Sequence, residues 1–533
     1  YTTLFRSVRH LPNKYFVLFI ISLGTVLSAY VSSSLDIALP NIMNTFGFTI
    51  DTVTWVLLSY LIPYGATLPI MGKLGDQFGR KKLYVTGLVV FTIATTMVGL
   101  SWSSGTIILF RILQGLGAAM SFPNAMTLVA DAFPPTERGQ AMGMWGAIAA
   151  SGAVLGPTIG GYIVEYLSWR MLFNSIVPLA ALGIVLAVTV LPETATDRQA
   201  VKIDYPGGLL LVAGLSALII ALNRGAQEGW TSLFILSLFA VMIISLGLFL
   251  YAETRIDDPL VDLRLFKNPT FTAANIVGFL TFMALYGGLF LIPFFLRNIL
   301  GYTPIHAGLS LFPLVGSMIL LAPLGGKLAD KTGGRTPTVL GMLILTLALY
   351  SFHPMTGDTG YPFIAVRLVA MGIGLALTMS PLSNAALGTL PKEKAGVGSG
   401  VFNLFKNVGG SVGIAILGTL LDQRQIFHSQ ILGSYLTAPG TMTRQIVAGL
   451  QTGLIRDGIP ANQAYTAALA ILNSLVTKQA AVMAYGDVFQ IAALLAGSGV
   501  IAALLIRDRK KNDPVKNNLT VEIKSGQPKG KKG

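Results

Sequence analysis

The chain contains no cysteine. Disulfides, thiolate metal sites and cysteine nucleophiles are therefore excluded. Charge is also scarce: 11% of the 533 residues are Asp, Glu, Lys or Arg, against about 25% in an ordinary soluble chain. There are only four histidines, none near another, which argues against a histidine metal site. Each Gly-Lys pair is followed by Leu or Lys, never Ser or Thr, so no phosphate-binding loop for ATP hydrolysis is encoded. No nucleophile–base–acid constellation stands out either, and the chain does not read as an enzyme.

Apolar runs dominate instead. Hydrophobic residues make up 53% of the chain, and the mean hydropathy is +0.68. About fourteen runs between positions 16–44 and 484–506 approach the roughly 20 residues needed to cross a bilayer. Backbone groups in lipid must bond within their own segment, and the runs lack period-2 alternation, so helices are predicted throughout. Arg6, Arg9 and Lys14 precede a run too long for a signal peptide, which predicts an uncleaved first span. The net charge is +14, and most Lys and Arg fall in alternate loops and in the tail. That pattern places those loops and both termini on the cytoplasmic side of a cell (inner) membrane. The tail 507–533 reads as a membrane-surface anchor or a solvated extension, and nucleic acid is excluded as a partner. Segment 422–483 is predicted to be helical on the outer side, lying along the surface or capping an exit.

One loop is written twice. "GKLGDQFGRKK" (Gly72–Lys82) returns as "GKLADKTGGR" (Gly326–Arg335). This divides the chain into an N-terminal six-helix bundle (1–200), an inserted hairpin (201–255), a C-terminal six-helix bundle (256–506) and the tail. Duplicated halves that rock around a midplane site are a common plan for secondary transporters. Within each loop, glycines such as Gly72 and Gly79 permit a tight turn. Asp76 and Asp330 can accept from a helix N-terminus of the opposite half, and Arg80 and Arg335 can pair with a nearby acid. Anchoring by positive charge explains Lys81 and Lys82 but not a repeated Asp among glycines. A gating latch is the better reading.

Charges inside a span are costly and functional by default. Asp36 is the sole acidic residue clearly within an apolar run, and Arg111 sits at similar depth in the fourth. We expect the two to be coupled, with Asp36 carrying the transported proton; a static ion pair is the alternative. Gln114, one turn on, with Tyr60 and Asn41, is expected to line a substrate cavity. Arg367 reads as an arginine reaching for the outer surface, and Lys406 is placed near the inner surface. Gly152, Gly156 and Gly160 share one helix face, where a neighbouring helix can approach closely, and Pro157 can kink that helix.

These motifs resemble those of the major facilitator superfamily, in particular the fourteen-helix drug:proton antiporters of the EmrB/QacA type. The repeated loop resembles motif A, "FRILQGLGAA" (Phe110–Ala119) motif B, and "GAVLGPTIGG" (Gly152–Gly161) the antiporter motif C. "FPPTERGQAMGMWG", "SWR" and "LGYTPIHAGLSLFP" are similar to stretches of the same family. The resemblance implies an all-α membrane fold of two six-helix bundles with an inserted hairpin. It implies that Asp131 pairs with Arg80, and that the motif C face, Gly161 included, lies at the interface of the halves. It also implies proton-driven export of amphipathic compounds with no cofactor. The implied partners are protons, lipid, small amphipathic substrates and, in a two-membrane host, a periplasmic adaptor. The first span departs from the family pattern: Val31 stands where an acid is usual, and Asp36 where an Asn is usual. Two alternatives remain open, an exporter of one endogenous lipid, fatty acid or siderophore, and a non-transporting sensor or scaffold.

Overall fold

The computed structural model describes residues 13–48, 50–134, 136–192, 204–256, 259–391, 394–437 and 441–507. Within its helices, the side chains of Asp36 and Pro157, among others, fall outside the described residues, as does the tail from 508 onward. The elements are helices: α1 (Lys14–Phe46), α2 (Ile50–Phe78), α3 (Arg80–Gly99), α4 (Ser104–Ala132), α5 (Arg138–Tyr166), α6 (Trp169–Asn174), α7 (Val177–Val190), α8 (Tyr205–Glu228), α9 (Leu233–Glu253), α10 (Pro269–Asn298), α11 (Pro304–Leu309), α12 (Phe312–Thr332), α13 (Arg335–Tyr350), α14 (Tyr361–Gly388), α15 (Ala395–Thr437), α16 (Thr441–Arg456) and α17 (Ala461–Leu504). A short 3₁₀ turn, Leu263–Lys267, precedes α10. Several starts are set by local chemistry. Asn13 caps α1, Ser103 and Thr106 form a capping box on α4, and Asn268 caps α10 with Pro269 at its first position.

Among the described residues, 12 helical segments are long and apolar enough to cross a membrane, against the fourteen expected. The 16 residues of α13 reach only about 24 Å, short of a hydrocarbon core of about 30 Å. The fifth helix, α5, is not among the 12 but packs in the body against α1, α12 and α14.

The duplication extends well beyond the loop. Gly87 of α3 packs on Gly117 of α4, and Gly341 of α13 on Gly374 of α14. Gly115 lies against the Tyr60 carbonyl of α2, and Gly372 against the Leu314 carbonyl of α12. In α5, Gly139, Gly143, Gly152 and Gly156 stand 257 residues before Gly396, Gly400, Gly409 and Gly413 of α15, and each pair has the same kind of backbone neighbour. Pro69 in α2 and Pro323 in α12 also match. Small residues let helix backbones touch where lipid supplies no hydrophobic drive between helices.

Two additions break the symmetry. The hairpin α8–α9 packs on both α2 and α15, and Trp230 between its helices donates to Thr419 of α15 at 3.2 Å. It therefore lies across the seam of the halves. Helices α15 and α17, 43 and 44 residues long, run about 65 Å each, twice a bilayer core. Segment 422–483 is thus the continuation of two spans, linked by α16, rather than a piece lying flat on the surface. His428 and Asp487, 2.8 Å apart, tie those two helices together.

Candidate functional site

The first copy of the loop forms a latch. Gly79, at φ 106°, turns the chain from α2 into α3. That turn brings the Arg80 guanidinium back onto Asp76, through Nε at 3.0 Å and Nη2 at 2.8 Å, while Nη1 bonds Asp131 at the end of α4. Asp76 and Arg80 are almost fully buried. The second Asp76 oxygen accepts from the backbone N–H of Val397 at 3.0 Å, in the first turn of α15 in the other half. A carboxylate there meets the positive end of the helix dipole and its unpaired amides.

The second copy repeats the contact with the halves exchanged. Asp330 of α12 accepts from the Gly139 N–H at 3.2 Å, in the first turn of α5. Gly333, at φ 89°, makes the matching turn. Beneath each carboxylate, two helices cross on bare backbone. A Cβ on Gly72 would lie 2.2 Å from the Gly396 carbonyl oxygen, and one on Gly326 would lie 2.3 Å from that of Gly139. Ser399 donates to the Pro123 carbonyl at 3.0 Å, and Ser380 to that of Gly139. The loop-bearing end of the molecule is closed. The latches differ in composition: Asp131 has Gly388 as its counterpart, and Arg335 lies exposed at the start of α13.

A strap from the inserted hairpin reinforces the first latch. Buried Lys73 donates to the Pro259 carbonyl at 2.8 Å, and Glu253 accepts from the N–H groups of Leu260 and Val261. Asp262 then pairs with Lys394, just before α15. Burial alone would raise the Asp262 carboxyl, but the Lys394 ammonium and the Arg264 N–H outweigh it and hold it below the usual range. Lys327, the counterpart of Lys73, is exposed.

Seven residues into α4, about 10 Å along its axis, lies a polar cluster. Arg111 is 1% exposed; its Nε donates to the Val56 carbonyl at 3.1 Å and its Nη1 to Gln114 at 2.6 Å. Gln114 donates in turn to Thr95 at 2.6 Å. The guanidinium lies 4.5 Å over the Tyr60 ring, which stacks on Tyr64 at 5.7 Å. Arg111, Gln114 and Tyr60 are thus brought together, all three of them buried. Asp36 lies within α1, but its side chain falls outside the described residues, as does that of Pro157. Asn41 is exposed near the end of α1.

Two expectations change. The motif C glycines do not face the other half. Cβ atoms on Gly152, Gly156 and Gly160 would meet Val26, Ser33 and Ser34 of α1, within the same half, and Gly161 is buried. Gly139 and Gly143 of that helix make the interface instead, against Gly326 and Ala322. The face is mirrored by Gly409 and Gly413 against Phe279 and Met283 of α10, which marks it as bundle packing. Arg367, six residues into α14, donates to the Ser351 carbonyl at 2.7 Å, just past the end of α13 that lies away from the latched loops. Lys406 is not near the loop end: it stands eleven residues beyond the start of α15, about 16 Å along the axis. Sequence reading missed Gly139, Gly396 and Gly400; the constant spacing of glycines between α5 and α15 was the available signal. A separate cavity of about 530 Å³, lined by Tyr302, Thr303, His306 and Tyr361, opens at the opposite end of the second half.

A family model described as "Major Facilitator Superfamily" matches residues 21–414. The tetracenomycin C resistance and export protein of Streptomyces glaucescens is 31% identical, over 76% of this chain and 75% of its own. The multidrug resistance protein Stp of Mycobacterium tuberculosis (strain CDC 1551 / Oshkosh) is 33% identical, over 72% of each. Among solved structures, the proton:xylose symporter XylE superposes with a TM-score of 0.58 at 14% identity, over 93% of this chain and 96% of its own. That likeness establishes the fold alone. The chain is a transporter rather than an enzyme.

Proposed function

The chain belongs to the Major Facilitator Superfamily, and on that premise we propose that it exports amphipathic compounds across the cytoplasmic membrane in exchange for protons, by alternating access. The observation that carries this reading is the pair of latches. Each places a carboxylate of one half on a helix N-terminus of the other, Asp76 on α15 and Asp330 on α5. Both lie at one end, so their joint release opens that end while the halves stay intact. The Lys and Arg distribution assigns the latched end to the cytoplasm, and the conformer described is the one closed on that side. The printed names of the two relatives favour drug export. A second reading, a dedicated exporter of one compound, is favoured by the tetracenomycin relative, and a substrate screen separates the two.

Coupling is assigned to Asp36 of α1, acting with the buried Arg111 network. Protonation of Asp36 changes the charge that Arg111 meets, and substrate and solvent then compete for the guanidinium. The test is dye transport into proteoliposomes with an acidic lumen, with proton release followed in parallel. Asp36→Asn is expected to bind dye but to lose substrate-driven proton release. Full proton-coupled transport by that variant removes Asp36 from the mechanism, and a wild type that moves neither dye nor protons ends the exporter reading.

A further inference from the structure

We infer that Lys406 recognises an anionic group on the transported compound, an amphipathic acid whose apolar body lies along Phe282, Tyr286 and Tyr64. The inference rests on the exporter reading and narrows its substrate class.

Lys406 sits close to half-way through the membrane on α15, its stem packed on Gly278 of α10. An ammonium carries three donors. The described partners of this one are a single hydrogen bond to Asn403 at 3.3 Å and the faces of Phe282 and Phe402, at 4.7 and 5.2 Å. Among the described residues no carboxylate pairs with it. A cation in that setting retains bonding capacity that an incoming anion can use, and ring faces supply only part of the lost hydration.

The space beside it belongs to the seam. Asn407, the next residue, lies close to Tyr64 of the first half, and Asn403 reaches Met126 of the first half. Tyr286 covers Gly410 of α15 and contacts Phe282 edge-on at 5.3 Å, yet is 37% exposed. Lys406, Asn407 and Tyr64 likewise keep part of their surface accessible. A half-open aromatic lining with a cation set into it suits a flat apolar body that bears an acidic group.

The duplicated scaffold does not call for this charge. The register that pairs Gly396 with Gly139 pairs Lys406 with Ala149. Among the described residues, the bases well inside the spans are Arg111, Arg367 and Lys406, whereas Asp76, Asp131 and Asp330 are committed to the closed end.

The test uses two dyes built on one phenylxanthene body, anionic fluorescein and cationic rhodamine 123, in proteoliposomes with an acidic lumen. Lys406→Gln is expected to lower fluorescein transport about tenfold, the usual cost of a lost charged hydrogen bond, and to leave rhodamine 123 within about twofold of wild type. Lys406→Arg is expected to keep most fluorescein transport. The inference is overturned if Lys406→Gln changes both dyes equally or neither, if Lys406→Arg behaves like Lys406→Gln, or if wild type carries rhodamine 123 but not fluorescein. That last result leaves the exporter standing; a wild type that moves neither dye and releases no protons ends both readings.

Discussion

Arg111 shows how far a single side chain can be read. Its place inside an apolar run made it functional by default, and nothing else in the run competed. Its partners were not all legible: the Val56 carbonyl and the Tyr60 face come from α2, fifty residues away in the chain. The guanidinium uses a planar fork, with one arm on a carbonyl, one on Gln114 and a face on a ring. A lysine ammonium cannot reproduce that geometry. Arg111→Lys is therefore expected to lower transport by about tenfold or more while the protein still purifies as a single species. Transport equal to wild type would show that only the charge matters. Lys406 was misplaced in depth because a loop boundary read from hydropathy is loose by several residues, and only the observed start of α15 sets the count.

At the scale of elements, the latch carboxylates were legible from the repeated loop, but their partners were not. The first turns of α15 and α5 carry no conspicuous motif; they offer only backbone N–H groups and glycines. The two latches also differ in reinforcement. Asp76 is fixed by Arg80, which Asp131 holds in turn, whereas the described partner of Asp330 is the helix terminus. Asp76→Asn is expected to shift the closed-to-open ratio at this end by roughly tenfold, about 1.4 kcal/mol, and Asp330→Asn by less. The absence of native cysteine allows a clean readout: spin labels on Phe78→Cys and Pro391→Cys report the distance across the seam. An equal shift for the two variants would show that the Arg80–Asp131 clamp adds nothing. The glycine crossing makes a second demand. Gly396→Val must push Gly72 away, because a Cβ at Gly396 already falls 2.4 Å from the Gly72 carbonyl oxygen. That variant is expected to populate the open form in the same spin-label measurement, and a distance unchanged from wild type would refute the crossing as the closure point.

For the whole molecule, the two seams lie at the same end and exchange equivalent helices, so they open together if each half moves as one body. Paired fluorophores across the Gly72–Gly396 seam and across the Gly139–Gly326 seam should change in step during turnover. Independent changes would mean that the halves flex internally. The inserted hairpin bears on the same motion, because it touches α2 and α15 at once and its strap holds Lys73 and Lys394.

The sequence by itself determined that this is a helical membrane protein built from two related halves, with one acid and few bases placed inside the apolar runs. Hydropathy, charge placement and a repeated loop are local in the chain, and local signals survive without a structure. Only the tertiary structure decided which backbone each glycine meets, that the motif C face packs within its own half, and that Lys406 stands at mid-depth. Those outcomes depend on where each helix begins and on the register between helices distant in the chain, and no local pattern records either.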